Sequence, residues 1–184
     1  RCPNEWRGRP TSPVDLARWA AGRTYESRAE EARTAGRQVF MDWLGNAYAG
    51  ATTPTGQIVY DMVAEEGGAP HATLIGYGTR SSALNAAMVN GAISHIVEFD
   101  DIYKNAIYHP GTPTIAAAMA VAEKFHHYGK KLITGIVAGE EDGTRIARRI
   151  RPFTTHCGPP PVTPRTLVSP HTPRSRPGAA QAQQ

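Results

Sequence analysis

Residues 90–124 read NGAISHIVEFDDIYKNAIYHPGTPTIAAAMAVAEK, and the organisation of the whole chain follows from this run. Alanine-rich patterns with helical spacing lie at both of its ends. The connection between them carries three acids and a histidine on a Pro-Gly turn: Glu98, Asp100, Asp101 and His109. Acids that follow a helix oppose its macrodipole by about 0.3–1 kcal/mol each, and local conflicts of this kind occur at functional sites. The residues alone allow two interpretations, a solvated polar connection or part of an active site.

The composition favours helices. Of 184 residues, 40% are hydrophobic and only 8% are aromatic, and much of the apolar content is alanine. A β-sandwich would need more branched and aromatic residues. We predict an all-α fold, a helical bundle over residues 13–150 that is one domain or part of a larger one.

Capping signals and glycines place the ends of the predicted helices. The first three helices are expected to begin at Ser12 with Pro13, at a capping box of Ser27 and Glu30, and at Thr53 with Pro54. Gly50 is expected to end the second helix, and residues 71–82 are expected to form a turn or a short extended segment. The predicted core faces of the two helices in the opening run are Leu84, Ala87, Met88, Ala92 and Ile96, and then Ile115, Met119, Ala122 and Phe125.

Both ends of the chain, residues 1–12 and 151–184, are predicted to be disordered. The C-terminal segment holds eight of the 15 prolines and no periodic apolar pattern, so it cannot bury enough apolar surface to offset its ordering entropy. It contains a PxxP run, Pro161 to Pro164, followed by Arg165. That run could dock in an aromatic groove, although such short patterns commonly arise from composition alone.

The net charge of +4 comes from the C-terminal segment. The chain has 20 basic and 16 acidic residues, and removing the four arginines of residues 151–184 leaves 16 of each. A nucleic-acid partner is therefore not expected, since such a protein carries its basic excess on a folded face. No apolar run approaches the roughly 18 residues of a membrane span, and no signal-peptide pattern is present. Cys2 and Cys157 are too far apart in sequence to suggest a disulfide framework or a zinc site. We expect a reducing, cytoplasmic location with no membrane partner.

Several segments in order resemble the MmgE/PrpD family, which includes 2-methylcitrate dehydratase and cis-aconitate decarboxylase. The most specific are NGAISHIVEFDD and HPGTPTIAAAMAVAEK. The others are VDLARWAAG, MDWLGNAYAGA, GGAPHATLIGYGTRSSALNAAMVNGA and GKKLITGIVAGEEDG, so the resemblance covers about residues 13 to 147. It implies a helical domain that pairs with a smaller α+β lid domain in a homodimer. It also implies lyase chemistry on small polycarboxylates without a metal or another cofactor.

The resemblance also implies site residues. Asp100, Asp101 and His109 match the family pattern and are the expected catalytic residues, with His109 transferring the proton. Glu98 stands where the family usually has aspartate and is expected to bind substrate. His95 is a weaker substrate-binding candidate, since a helix histidine is more often simply packed. Ile102 replaces a hydroxyl residue that often follows the two aspartates.

The resemblance has limits, and alternatives stay open. Family members are much longer, and Glu140 occupies the aromatic position of the usual Gly-aromatic-Glu pattern. We therefore expect a truncated family member, inactive as this short chain. One alternative is a non-catalytic helical fragment that serves as an interaction surface. Another is a metal site, whose ligands would be His95, Glu98, Asp100, Asp101 and His109; these ligand types suit a transition metal, but the acids lie close together in sequence.

Overall fold

The structure, a computed structural model, describes residues 13–156 and is mostly helical. This confirms the all-α fold class. In chain order the elements are α1 (Pro13–Ala21), α2 (Glu30–Ala51), α3 (Pro54–Glu66), β1 (Ala72–Leu74), β2 (Thr79–Ser81), α4 (Ala83–His95), α5 (Gly111–Lys124) and α6 (Lys130–His156). Within these described residues, no helix combines the length and apolar character needed to cross a membrane.

A small hairpin is fastened to α4. Its strands β1 and β2 pair antiparallel, with Ala72 opposite Ser81, in the segment predicted to be a turn or briefly extended. The buried amide of Asn90 holds the hairpin to the helix: its Oδ1 accepts from the backbone N–H of Ile75 at 3.0 Å, and its Nδ2 donates to the carbonyl of Thr73 at 2.8 Å. Asn90 therefore replaces backbone hydrogen bonds that a short hairpin leaves unmade.

The core forms where α4 packs against both α2 and α5. The last helix, α6, also packs against α5 and α2. The largest fully buried apolar side chains of the core come from five elements: Trp43, Val63, Val89, Ile93, Ile115 and Ile136. Gly50 lets α2 approach α4 closely, since a Cβ atom at this position would overlap the backbone carbonyl of Ile93. The absence of a side chain at Gly50 thus allows the backbones of α2 and α4 to touch.

Two details of the predicted α2 were wrong. Ser27 does not cap the helix: Ala29 is the N-cap residue and makes no side-chain cap hydrogen bond. The Ser27 hydroxyl instead accepts from the backbone N–H of Thr24 at 3.1 Å, because the chain turns before the helix begins. Gly50 does not end α2, which continues to Ala51; its small size serves helix packing rather than a left-handed cap. The predicted cap of α3 was right, since Thr53 Oγ1 accepts from the N–H of Gly56 at 3.0 Å.

The predicted core face of α4 was partly right: Ala87 and Ile96 pack against the core, but Leu84 and Met88 do not. Leu84 and Met88 are 79% and 43% exposed, whereas Val89, Asn90 and Ile93 are buried. The helix lies between several neighbours, so its buried side is lined by small and medium side chains, and its longer ones point outward. On α5, Ile115 and Ala122 are buried as predicted and Met119 is partly buried, but Phe125 lies beyond the helix end and is 58% exposed.

The last helix crosses the predicted domain boundary. α6 continues to His156, past residue 150. The segments 1–12 and 157–184 lie outside the described residues, and with them the Ser12 cap, both cysteines and the PxxP run.

Candidate functional site

The connection between α4 and α5 folds back on itself and brings two histidines together. His95 is the last residue of α4, and His109 precedes the first turn of α5. Between them, Tyr103 and Tyr108 form an isolated antiparallel bridge, with the Tyr103 N–H donating to the Tyr108 carbonyl at 2.7 Å. The imidazole rings consequently meet edge to face, with 5.0 Å between their centroids.

Asp100 lies at the centre of this site. Its Oδ2 atom is 2.9 Å from Nδ1 of His95 and 3.1 Å from Nδ1 of His109. The hydroxyl of Thr112, in the first turn of α5, donates to the same oxygen at 2.8 Å. The Asp100 side chain is only 2% exposed, whereas those of His95 and His109 are 45% and 33% exposed. One buried carboxylate therefore orients two imidazoles that both reach the surface.

The geometry determines how the histidines are presented. A carboxylate accepts hydrogen bonds, so each Nδ1 atom that faces Asp100 is the protonated one, and Nε2 is left as the free ring nitrogen. A neutral imidazole held this way can accept a proton at Nε2, and an imidazolium can donate one there. The Nε2 atoms of His95 and His109 are thus the ring atoms left available to a bound molecule.

Asp100 and Asp101 have opposite electrostatic environments. Burial alone would raise the pKa of Asp100, but hydrogen bonds from His95 and Thr112 outweigh it and hold the pKa below its usual value. Burial raises the pKa of Asp101, and the negative charge of Asp100 adds to this effect. The backbone N–H of Gly111, which donates to Asp101 Oδ1 at 3.0 Å, only partly opposes the increase. Neighbouring carboxyls with divergent pKa values are characteristic of acid–base sites.

Glu140 on α6 is a further acid at this site that was not predicted as a site residue. Burial, followed by the negative charge of Asp101, raises its pKa to about 7. Its Oε1 atom is buried and has no hydrogen-bond partner among the described residues. Close contacts of Gly139 with Thr114 and of Gly143 with Tyr108 pack α6 against α5 and the connection on either side of Glu140. The sequence signal was its interruption of the apolar pattern of α6.

The structure gathers four of the five predicted site residues: His95, Asp100, Asp101 and His109. Glu98 lies outside the group, exposed in a turn with a φ of 51°. None of the described hydrogen bonds joins its carboxylate to the other four. Thr112 was missed because its role depends on the fold of the connection, although its place in the His-Pro-Gly-Thr motif was a signal.

Three of these residues are also spaced to hold a metal ion. One ligand atom from each of His95, Asp100 and His109 lies within 4.8 Å of the others, and two imidazoles with a carboxylate suit a transition metal. The larger predicted set is not assembled, since Glu98 lies apart and Asp101 Oδ1 is engaged by Gly111. The hydrogen bonds of both histidines to Asp100 explain this spacing without a metal ion. The arrangement therefore suits proton transfer as well as metal binding.

Comparison with known proteins gives consistent matches. The family model for the MmgE/PrpD N-terminal domain matches residues 14–168. A cis-aconitate decarboxylase of Aspergillus terreus (strain NIH 2624 / FGSC A1156) is 26% identical over 144 residues, covering 74% of this chain and 29% of that enzyme. A second cis-aconitate decarboxylase from Aspergillus terreus is 26% identical over 143 residues with the same coverage. The chain thus spans about 29% of the length of these curated relatives.

Proposed function

This chain belongs to the MmgE/PrpD family, and we propose that it carries the proton-transfer site of a lyase that acts on small polycarboxylates. Decarboxylation of cis-aconitate is the proposed reaction because both relatives are named for it. Dehydration of 2-methylcitrate is the second reaction to test, since the resemblance in sequence extends to that branch of the family.

The observation that supports this proposal most strongly is the position of Asp100 between two histidines. Its lowered pKa keeps it ionised at neutral pH, and its negative charge stabilises an adjacent imidazolium. His109, whose Nδ1 is 3.1 Å from this carboxylate, keeps its Nε2 accessible, and we propose this atom as the proton donor. A positioned acid of this kind typically accelerates proton transfer by about 10²–10⁴-fold.

In the proposed decarboxylation, the bond between a substrate carbon and a carboxylate carbon breaks, and carbon dioxide leaves. The electron pair stays on the substrate carbon, where the neighbouring double bond delocalises it. The Nε2–H of His109 then protonates the substrate, and the neutral imidazole regains a proton from solvent. Overall, the tricarboxylate and one proton give a dicarboxylate and carbon dioxide, so atoms and charges balance.

The remaining predicted residues have proposed roles that follow from their surroundings. His95, also bonded to Asp100, would bind a substrate carboxylate through its exposed Nε2. Glu140, whose pKa is raised to about 7, would be partly protonated at neutral pH, which reduces repulsion of an anionic substrate. Burial also raises the pKa of Asp101. Glu98 would repel a carboxylate, so a substrate contact through this residue would require a substrate hydroxyl.

A homo-oligomer is also proposed, supported by large apolar side chains that the described part of the chain leaves exposed. These include Met41, Ile58, Met62, Leu84 and Met88. The same side chains favour the second candidate function, a helical fragment that binds a partner without catalysis.

Turnover can be tested with the 184-residue chain and with a chimera in which residues 14–147 replace the aligned part of the Aspergillus terreus enzyme. Proton NMR would follow cis-aconitate, citrate and 2-methylcitrate without added metal. We propose that the short chain gives no turnover and that the chimera decarboxylates cis-aconitate. Replacing exposed His126 with alanine is the matched control and should change nothing.

A binding measurement separates a wrong function from a chimera that fails to fold. Adding cis-aconitate to the 184-residue chain should shift the ring resonances of His95 and His109 but not those of His126. If a folded chimera gives no turnover and these resonances do not move, the catalytic proposal fails and the interaction-fragment alternative is favoured.

A further inference from the structure

Three arginines surround one tryptophan at the junction of α1 and α6. The guanidinium carbons of Arg145, Arg23 and Arg28 lie 4.0, 4.4 and 5.1 Å from the ring centroid of Trp19. Each contact is within the range of a cation–π interaction. Guanidinium groups remain charged at all relevant pH values, so three positive charges are concentrated around one neutral ring.

Arg28 is the buried member of this group. Its side chain is only 6% exposed, and its Nη1 donates to Glu141 Oε2 at 2.6 Å. Its Nε and Nη2 atoms are buried and have no hydrogen-bond partner among the described residues. Leaving buried, charged donors unsatisfied is costly, so a further acceptor is expected at this position.

The two unpartnered nitrogens lie on the same edge of the guanidinium group. Nε–H and Nη2–H point in parallel directions, and this edge matches the two oxygens of a carboxylate or a phosphate. Arg28 therefore has two parallel, positively charged N–H donors for which the described residues supply no acceptor.

The two nearby acids, Glu141 and Asp142, do not neutralise all three arginines. Glu141 pairs with Arg28, and Asp142 is the other acid beside the arginines. Burial raises the pKa of Asp142, and the positive charges of Arg145, Arg28 and Arg23 only partly offset this effect. Asp142 Oδ1 is itself buried without a partner among the described residues, so it does not complete the coordination of Arg28.

We propose that Trp19, Arg23, Arg28 and Arg145 form a binding site for a small oxyanion, a carboxylate or a phosphate. Arg28 holds two anion oxygens through its free edge, and the partly exposed Arg23 and Arg145 neutralise the remaining charge. This site is separate from the histidine cluster and does not depend on the proposed lyase activity.

The test uses the 184-residue chain with inorganic phosphate and citrate as probes and sodium chloride at matched ionic strength as the control. In ¹H–¹⁵N spectra, the Trp19 indole and Arg28 Nε resonances should shift with an oxyanion and stay in place with chloride. The melting temperature should rise with the oxyanion concentration. A response to phosphate alone, or to citrate alone, would identify which oxyanion the site prefers.

Variants make the proposal falsifiable even if a change at buried Arg28 prevents folding. Arg145→Gln alters a partly exposed residue and should weaken oxyanion binding at least about tenfold, because it removes one of the neutralising charges. Arg18→Gln changes an exposed arginine on α1 that pairs with Asp15, and it should bind as the unaltered chain does. His109→Gln should leave the response of the Trp19 indole resonance to phosphate unchanged.

Three outcomes would overturn this site. The first is an oxyanion effect no larger than that of chloride. The second is phosphate binding by Arg145→Gln as tight as that of the unaltered chain. The third is loss of the Trp19 response to phosphate in His109→Gln. The last would place the anion at the histidine cluster and would support the proposed function while removing the arginine site.

Discussion

Nδ1 of His109 lies 3.1 Å from Oδ2 of Asp100, although the two residues belong to opposite ends of an irregular connection. This contact gives the connection a defined geometry, because a buried carboxylate next to a surface imidazole fixes both the orientation of the ring and its tautomer.

Asp100→Asn should change the tautomer balance of His95 and His109 more than it changes the stability of the fold. An uncharged amide cannot act as the shared anionic acceptor, so the preference for protonated Nδ1 in His95 and His109 should weaken. ¹⁵N NMR of the rings at neutral pH measures this tautomer balance directly. In an active chimera the rate should fall by at least about 10²-fold. Asp61→Asn, at an exposed acid that bonds Gln57, is the control; unchanged ring spectra in Asp100→Asn would contradict the assigned geometry.

Glu140 should make the folded chain less stable as the pH rises. Its pKa is about 7 in the fold and 4.5 ordinarily, so between these values the folded state binds more protons than the unfolded state. The free energy of unfolding therefore falls with pH across this window. Glu140→Gln should remove much of the fall and stabilise the chain at pH 8 by up to about 3 kcal/mol.

Urea titrations from pH 4 to pH 8 measure this effect, with Glu65→Gln, at an exposed acid on α3, as the control. The raised pKa values of Asp101 and Asp142 act in the same direction, so some decrease should remain in Glu140→Gln. An equal pH dependence in the unaltered chain and in Glu140→Gln would show that Glu140 is solvated.

The sequence was a good guide to local features and a poor one to features that depend on distant packing. The helices, the Thr53 cap and the grouping of His95, Asp100 and His109 all follow from patterns within short segments. Glu140 reaches the site from another helix, and its interruption of the apolar pattern of α6 does not reveal that it lies close enough to Asp101 to be affected by that charge.

Helix faces show the same limit. Leu84 and Met88 have helical spacing, but spacing alone cannot reveal which side of α4 faces its neighbours. Gly50 was interpreted as a helix end because glycine often has that role. Its actual role is a close helix contact with Ile93, which becomes apparent only when α2 and α4 are packed together.

Two glycines on α2 should respond in opposite ways to alanine. At Gly50 a Cβ atom would overlap the backbone carbonyl of Ile93, which cannot rotate away, whereas at Gly45 it would meet no atom within 4 Å. Gly50→Ala should therefore destabilise the chain by about 1–3 kcal/mol or more. Gly45→Ala should stabilise it by about 0.5–1 kcal/mol, since alanine is the better helix former. Equal unfolding midpoints in urea would contradict the α2–α4 contact.

Asn90→Ala should loosen the hairpin. The substitution removes the acceptor for the Ile75 N–H and the donor for the Thr73 carbonyl. The loss leaves the buried Ile75 N–H and the partly buried Thr73 carbonyl without these partners, at up to about 1–3 kcal/mol each. Hydrogen exchange at the Ile75 amide should accelerate more than exchange in α5. Asn85→Ala, which removes an exposed bond to Gly67, is the control, and unchanged protection of Ile75 would show that the strands hold the hairpin without Asn90.

The two histidines should affect catalysis differently although both contact Asp100. His109 is proposed as the proton donor, so His109→Ala in an active chimera should lower kcat by at least about 10²-fold. His95 is proposed to bind a substrate carboxylate, so His95→Gln should raise KM more than it lowers kcat. Steady-state decarboxylation of cis-aconitate measures both effects, and the His126→Ala chimera should match the unaltered one. A full rate in His109→Ala would remove His109 from the mechanism. An equal loss of kcat in both variants would instead make the histidine pair a single proton-transfer unit centred on Asp100.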